Sequence, residues 1–229
     1  MTAELQVTNP ATGEVLSPEQ LKNEIKYFPG KPLSIRANMG KDGNFNVNGK
    51  DVIGKTFSFR PVSWRFFNAC LYNDQKKGLY RDWVEIFFVY EYKGRKVIAS
   101  ILFHGYSCEA FKDAMSDLFY EDLQLWQVEV TALPQTKESN GPDKAKYHIC
   151  DFEFKALKDD DLEQAEFYQR WAELVKPFRS DSISESESME ASHHYPDFGK
   201  AKDEAPQLEP APAETVAETD ETDEDDLAF

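Results

Sequence analysis

No stretch of about 18 uncharged apolar residues occurs anywhere in the chain, so the sequence offers no candidate for a membrane-spanning helix. Cysteine is scarce. Cys70, Cys108 and Cys150 are an odd number at wide spacing, which excludes a disulfide framework and fits reduced thiols in a core. The N-terminal residues MTAELQVTNPATGEV have neither the basic flank nor the apolar run of a signal peptide, so the expected location is the cytoplasm. A Gly-rich phosphate loop of the Walker type, a GxSxG elbow and an HExxH pair are all missing, and no internal repeat is present. Histidine is limited to 4 residues. His104 with Cys108 and His148 with Cys150 could be drawn with Cys70 as a zinc set, but the spacing is not of the CxxC or HxxxH kind. Catalysis, a metal and a cofactor are therefore not expected.

What the chain has in excess is acid, and it is unevenly placed. The net charge is −16 over 229 residues. Residues 180–229 hold 16 Asp and Glu against only Lys200 and Lys202, so the first 179 residues are nearly neutral. Of 31 aromatic residues, all but Tyr195, Phe198 and Phe229 precede residue 180. An aromatic-rich folded domain over 1–179 is thus expected, followed by an acidic tail over 180–229 that cannot bury enough apolar surface to offset its ordering entropy. The tail should be disordered. Its last residues, Asp223, Glu224, Asp225, Asp226, Leu227, Ala228 and Phe229, set a run of carboxylates beside a small apolar tip. The acids can be steered to a basic surface while Phe229 and Leu227 anchor in a pocket, which makes the tip a candidate partner-binding motif.

Along the domain, Ser17-Pro18-Glu19-Gln20 forms a capping box with Pro at the first helical position, and Leu21, Ile25 and Phe28 follow at helical spacing. Residues 29–54 are rich in Gly, Asn, Lys and Pro, and the all-β part is expected to begin at Lys55–Arg60. Trp83–Tyr92 alternates, with Val84, Ile86 and Phe88 on the better core face. Lys93-Gly94-Arg95 then supplies a turn, and Lys96–His104 returns as the second strand of an antiparallel hairpin. Cys108–Tyr120 switches to a helical period with Ser107 as its cap. Leu125–Leu133 and Tyr147–Ala156 alternate again, on either side of a polar loop over 134–146. A helix over 162–175 closes the domain, ended by Pro177, with Asp159, Asp160 and Asp161 at its N-terminus.

Strands, one helix, then two strands is the order of an oligonucleotide-binding (OB) β-barrel, so the expected class is mainly β with a few helices. Single-stranded nucleic acid requires aromatics for base stacking, interleaved with cations for phosphates. Such interleaving occurs at Arg60, Trp64 and Arg65, and again at Tyr72, Lys76, Lys77, Tyr80, Arg81 and Trp83. Lys93, Arg95 and Lys96 crowd the hairpin turn, and Lys144 and Lys146, with Lys137, approach Tyr147 in a loop that commonly borders the OB groove. Phe57, Phe59, Phe66 and Phe88 read as core, whereas Phe87 follows the second interleaved run on the poorer core face of the hairpin strand.

Taken together, the domain and the acidic, aromatic-ended tail resemble a single-stranded DNA-binding protein (SSB), nearest in layout to those of T7-like bacteriophages. Bacterial members usually have Pro before the final Phe, where this chain has Ala228. The resemblance implies sequence-independent binding of single-stranded DNA in replication, recombination or repair, inside a bacterial cytoplasm such as that of a phage-infected host. It also implies a tip that recruits a DNA polymerase, helicase or primase and competes for the DNA groove. A homodimer is compatible with it; membrane association is not expected. The alternative is an acidic nucleic-acid mimic that binds a basic partner protein and no DNA.

Overall fold

The computed structural model describes residues 7–27, 32–39, 42–71, 76–139, 144–175 and 178. Residues 180–229, including Asp223–Phe229, and Tyr72 lie outside the described residues, and so do the expectations placed on them. None of the described helices is long and apolar enough to cross a membrane.

The first helix, α1 (Pro18–Glu24), follows from its capping box: the Ser17 hydroxyl accepts from Gln20 N–H at 3.3 Å, and the Gln20 side chain accepts from Ser17 N–H at 2.8 Å. It is preceded by a small antiparallel pair, β1 (Val7–Thr8) and β2 (Val15–Leu16). Strands begin earlier than residue 55. Within the Gly- and Asn-rich stretch lie β3 (Leu33–Ala37), β4 (Phe45–Val47) and β5 (Asp51–Gly54). Each is too short to show a period of its own, and burial of Ile35, Phe45 and Val47 is what holds them in place.

Next come β6 (Phe57–Phe59), β7 (Pro61–Ala69), β8 (Arg81–Tyr92) and β9 (Arg95–His104). The expected hairpin is present: β8 and β9 pair antiparallel from Trp83↔His104 to Tyr92↔Arg95, with Lys93 and Gly94 both at positive φ in its turn. The helix α2 (Tyr106–Tyr120) follows, then a single 3-10 turn over Leu125–Gln127, β10 (Val128–Glu138), β11 (Lys146–Ala156) and α3 (Asp159–Leu174). The loop expected over 134–146 is shorter, because the β10–β11 ladder runs out to Glu138↔Lys146.

The strands form a six-stranded sheet in the order β5-β4-β3-β9-β8-β7 and a three-stranded sheet in the order β11-β10-β6. The β3–β9 pair is parallel; the others in these sheets are antiparallel. Between β6 and β7 the chain passes at Arg60 from the smaller sheet to the larger, so one continuous stretch serves both. No closed barrel forms among the described residues. The gap lies between β3 and β11, where the His148 N–H donates to the Met39 carbonyl at 2.8 Å.

Both sheets and α2 share one core, to which β8 contributes Val84, Ile86 and Phe88, β6 Phe57 and Phe59, and α2 Phe111 and Leu118. At about 1.5–3 kcal/mol for each fully buried large apolar side chain, this cluster is the main source of cohesion. The opposite face of the hairpin is buried too. Val62, Phe87 and Ile98 pack against Phe167, Tyr168, Trp171 and Ala172 of α3 and Leu21 of α1. β8 is therefore covered on both sides, and Phe87 belongs to packing, where its position after the second interleaved run had made it a candidate for stacking. Phe57, Phe59 and Phe88 are core as expected; Phe66 is exposed, with the Lys112 ammonium 5.6 Å from its ring centre.

Candidate nucleic-acid interface

At the open end of the β8–β9 hairpin the chain turns from β9 into α2 through Gly105, whose φ of 54° and ψ of −132° disfavour any side chain. Its N–H donates to the Asp82 carbonyl at 3.4 Å, which keeps the start of α2 beside the start of β8. Gly105 is the N-cap, and Ser107, expected to be the cap, lies within the helix and does different work. Its hydroxyl accepts the Cys150 N–H at 2.9 Å and so tethers β11 to α2. His148 is positioned by its N–H bond to Met39, by a 3.3 Å contact between its Nδ1 and the Thr136 hydroxyl, and by close packing on Gly43. A Cβ at Gly43 would sit 3.1 Å from that imidazole, at a φ of 68°.

These ties enclose a cleft of about 160 Å³. Arg81 from β8, His104 from β9, Tyr106 from α2, and Tyr147 and His148 from β11 line it, with Met39, Phe103 and Ile149 as the apolar part. Tyr106 is 71% exposed, and Tyr80, next to Arg81, is 68% exposed. Lys76, Lys77, Lys144 and Lys146 are exposed on the segments that lead into Arg81 and Tyr147. Acids stand close by as well: Asp42, near His148, accepts the Asn44 N–H at 3.1 Å, which holds its carboxyl below the usual range, and Asp82 accepts from the Asn68 amide at 2.7 Å and pairs with Lys112 at 3.4 Å, with the same effect. An opening with aromatic walls and cations on two approaches suits a base with its phosphodiester backbone.

The residues expected to bind therefore separate. Arg81 and Tyr147 line the cleft, and Lys76, Lys77, Tyr80, Lys144 and Lys146 are exposed on the chain segments next to them. Lys93, Arg95 and Lys96 sit at the far turn of the hairpin, about 35 Å away along the strand at the usual rise per residue. Arg60 pairs with Asp161 at 2.8 Å and with Glu129 at 3.7 Å and donates to Gln164, which binds β6 and β7 to α3 rather than to a ligand. Arg65, only 5% exposed, donates from Nε to Glu85 at 2.8 Å across the β7–β8 ladder. Trp83, 4% exposed, donates its indole N–H to the Ala69 carbonyl at 3.1 Å, and Trp64 is half-buried against the main core. Arg65 and Trp83 are withdrawn from the interface because both side chains lie on the face of β7 and β8 that packs with Phe67 and Phe87.

Tyr106, His104 and His148 were not expected at the site. The legible signal was the strand-to-helix junction itself, His104-Gly105-Tyr106, since a glycine there places its neighbours at a rim. Among the described residues no three His, Cys, Asp or Glu side chains converge as a metal site. Burial pushes the Cys108 thiol up to about 11 and the Cys150 thiol up to about 12. Because both values are raised, these thiols favour the fold at neutral pH and lose that contribution as pH rises toward 11–12. At pH 8 an alkylating reagent should label Cys70 and spare Cys108 and Cys150 until denaturant is added; mass spectrometry checks this, and early labelling of Cys150 would contradict its placement.

No protein-family model matches this chain, and no curated protein or solved structure is significantly similar to it.

Proposed function

We propose that the protein binds single-stranded DNA without reading its sequence, through the cleft at the open end of the β8–β9 hairpin. The observation that carries this is convergence: the segment before β8, with Lys76, Lys77 and Tyr80, and the segment before β11, with Lys144 and Lys146, lead to one cleft walled by Tyr106, Tyr147 and Arg81. In an OB domain the corresponding loops, after the first strand and between the fourth and fifth, border the oligonucleotide groove. The strand order supports an open OB-type arrangement. The bent β6–β7 stretch, as a first strand, pairs with both β8 and β10, α2 lies between β9 and β10, and β3 occupies the place beside β9. The function is protection of single strands during replication, recombination or repair. The acidic segment Asp223–Phe229 recruits replication proteins such as a polymerase, helicase or primase, and lowers DNA affinity by competing for the same cations.

Fluorescence anisotropy with a labelled thirty-nucleotide strand and its duplex, across salt, tests this. If Lys76, Lys77, Arg81, Lys144 and Lys146 each meet a phosphate, the logarithm of affinity should fall with the logarithm of salt with a slope of about −3.5. The single strand should be preferred, and removal of residues 218–229 should tighten binding. No binding with or without residues 218–229 would discard the proposal and favour an acidic protein that binds a basic partner.

A further inference from the structure

A second feature lies outside the cleft. α2 ends in Phe119 and Tyr120, which are 78% and 83% exposed, their rings 5.7 Å apart and edge to face. Two adjacent aromatic rings in water at a helix end form an apolar patch whose burial by a partner is favourable. Around them Asp113, Asp117, Glu121 and Asp122 are exposed, and none forms an ion pair among the described residues. Asp113 and Asp117 share the helix face of Tyr120 by their spacing. The helix end is an acidic aromatic knob.

The same chain carries the complementary shape. Lys26, Leu33, Tyr92, Val97 and Ile98 line a mainly apolar pocket of about 230 Å³ where β3 and β9 meet the hairpin turn. A cavity of roughly 150 Å³ takes one benzene ring, so this one has room for one aromatic side chain and not for two. Lys26 stands in its wall, the Lys93 ammonium lies 5.1 Å from the Tyr92 ring centre, and Arg95 is exposed beside them. Glu91 faces Lys96 across the ladder, and Lys26, Lys93 and Arg95 form no ion pair among the described residues, so the rim is positive.

We infer that the knob of one copy docks in the pocket of another, Tyr120 entering between Tyr92 and Val97 while Asp117, Glu121 and Asp122 meet Lys26, Lys93 and Arg95. Both features stand open in the same folded chain, so the knob does not fill its own pocket. A contact of knob with knob would oppose carboxylates to carboxylates, so the knob meets the pocket, either once in a head-to-tail chain or twice in a reciprocal two-fold pair. One aromatic anchor with an exposed charged rim makes a weak contact, effective when copies are held close together.

Sedimentation equilibrium of the full chain without DNA tests this independently of nucleic-acid binding. The expected result is association that grows as concentration rises and weakens with salt, because the rim charges are exposed. Tyr120→Ser and the double change Lys26→Glu with Lys93→Glu should each lower the association constant about tenfold or more. An equimolar mixture of the two variants retains one good knob and one good pocket, and should form a dimer and nothing larger. All the substituted side chains are exposed, and unchanged thermal melting checks that the fold is kept. A monomer at every concentration, or association untouched by both variants, would overturn the inference.

Discussion

Glu85→Ala should lower the unfolding free energy by about 3–5 kcal/mol, the usual cost of leaving one member of a buried ion pair alone. The Glu85 side chain is 1% exposed and that of Arg65 4%, and the guanidinium also lies 5.6 Å from the Phe67 ring centre and 5.7 Å from that of Phe87. Removing the carboxylate takes the Glu85 ion pair from a cation buried among aromatic rings on the covered face of β8. Because whole domains are stable by only about 5–15 kcal/mol, the loss should be visible as a lowered urea midpoint with little change in slope. Replacing both members, Arg65→Met with Glu85→Leu, should recover most of that stability, since the pair's desolvation cost disappears with it. If Glu85→Ala lost less than about 1 kcal/mol, the pair would have to be hydrated, contrary to its burial. The result also separates structure from binding. The double apolar variant should still bind single-stranded DNA, because Arg65 does not face the cleft.

Arg81→Glu combined with Tyr147→Ala should have the largest effect on DNA. A stacked base is worth about 1–3 kcal/mol, or roughly 5- to 150-fold in affinity, before the reversed charge at Arg81 is added. Both residues line the cleft, on different strands, and neither belongs to the main core cluster. The matching control is Lys93→Ala with Arg95→Ala at the far turn of the hairpin, which should change affinity for a short oligonucleotide by no more than a few-fold while Arg81→Glu with Tyr147→Ala abolishes it. Titrations of both variants by anisotropy at one salt concentration decide between them. Equal losses from the two pairs would mean that the strand follows the length of the hairpin, and a loss only at Lys93 and Arg95 would move the interface to its other end.

Much of the fold was legible where the determining contacts are local. The Ser17–Gln20 box, the Lys93-Gly94 turn with its two strands, the period of α2 and that of α3 each follow from residues within a few positions of one another. Strands β3, β4 and β5 were not legible, because three to five residues among Gly and Asn show no alternation; β3 is held by pairing with distant β9, and β4 and β5 are added beyond it. The interleaving in β7 misleads for a related reason: its Arg65 and Trp64 resemble ligand-binding residues until β8 is laid beside them.

By itself the sequence determined the uneven charge of the chain, the mainly β class, the hairpin and the helices, since composition and short-range periodicity carry that information. Only the tertiary structure decided which cations line the cleft and which tie the fold together. Register pairs Arg65 with Glu85 twenty residues away, the bend at Arg60 brings that side chain to Asp161 of α3, and the meeting of three strand ends with Gly105 opens the cleft where Arg81 and Tyr147 lie. A side chain's neighbours across a sheet depend on pairing between segments far apart in the chain, and no local pattern of residues specifies that pairing.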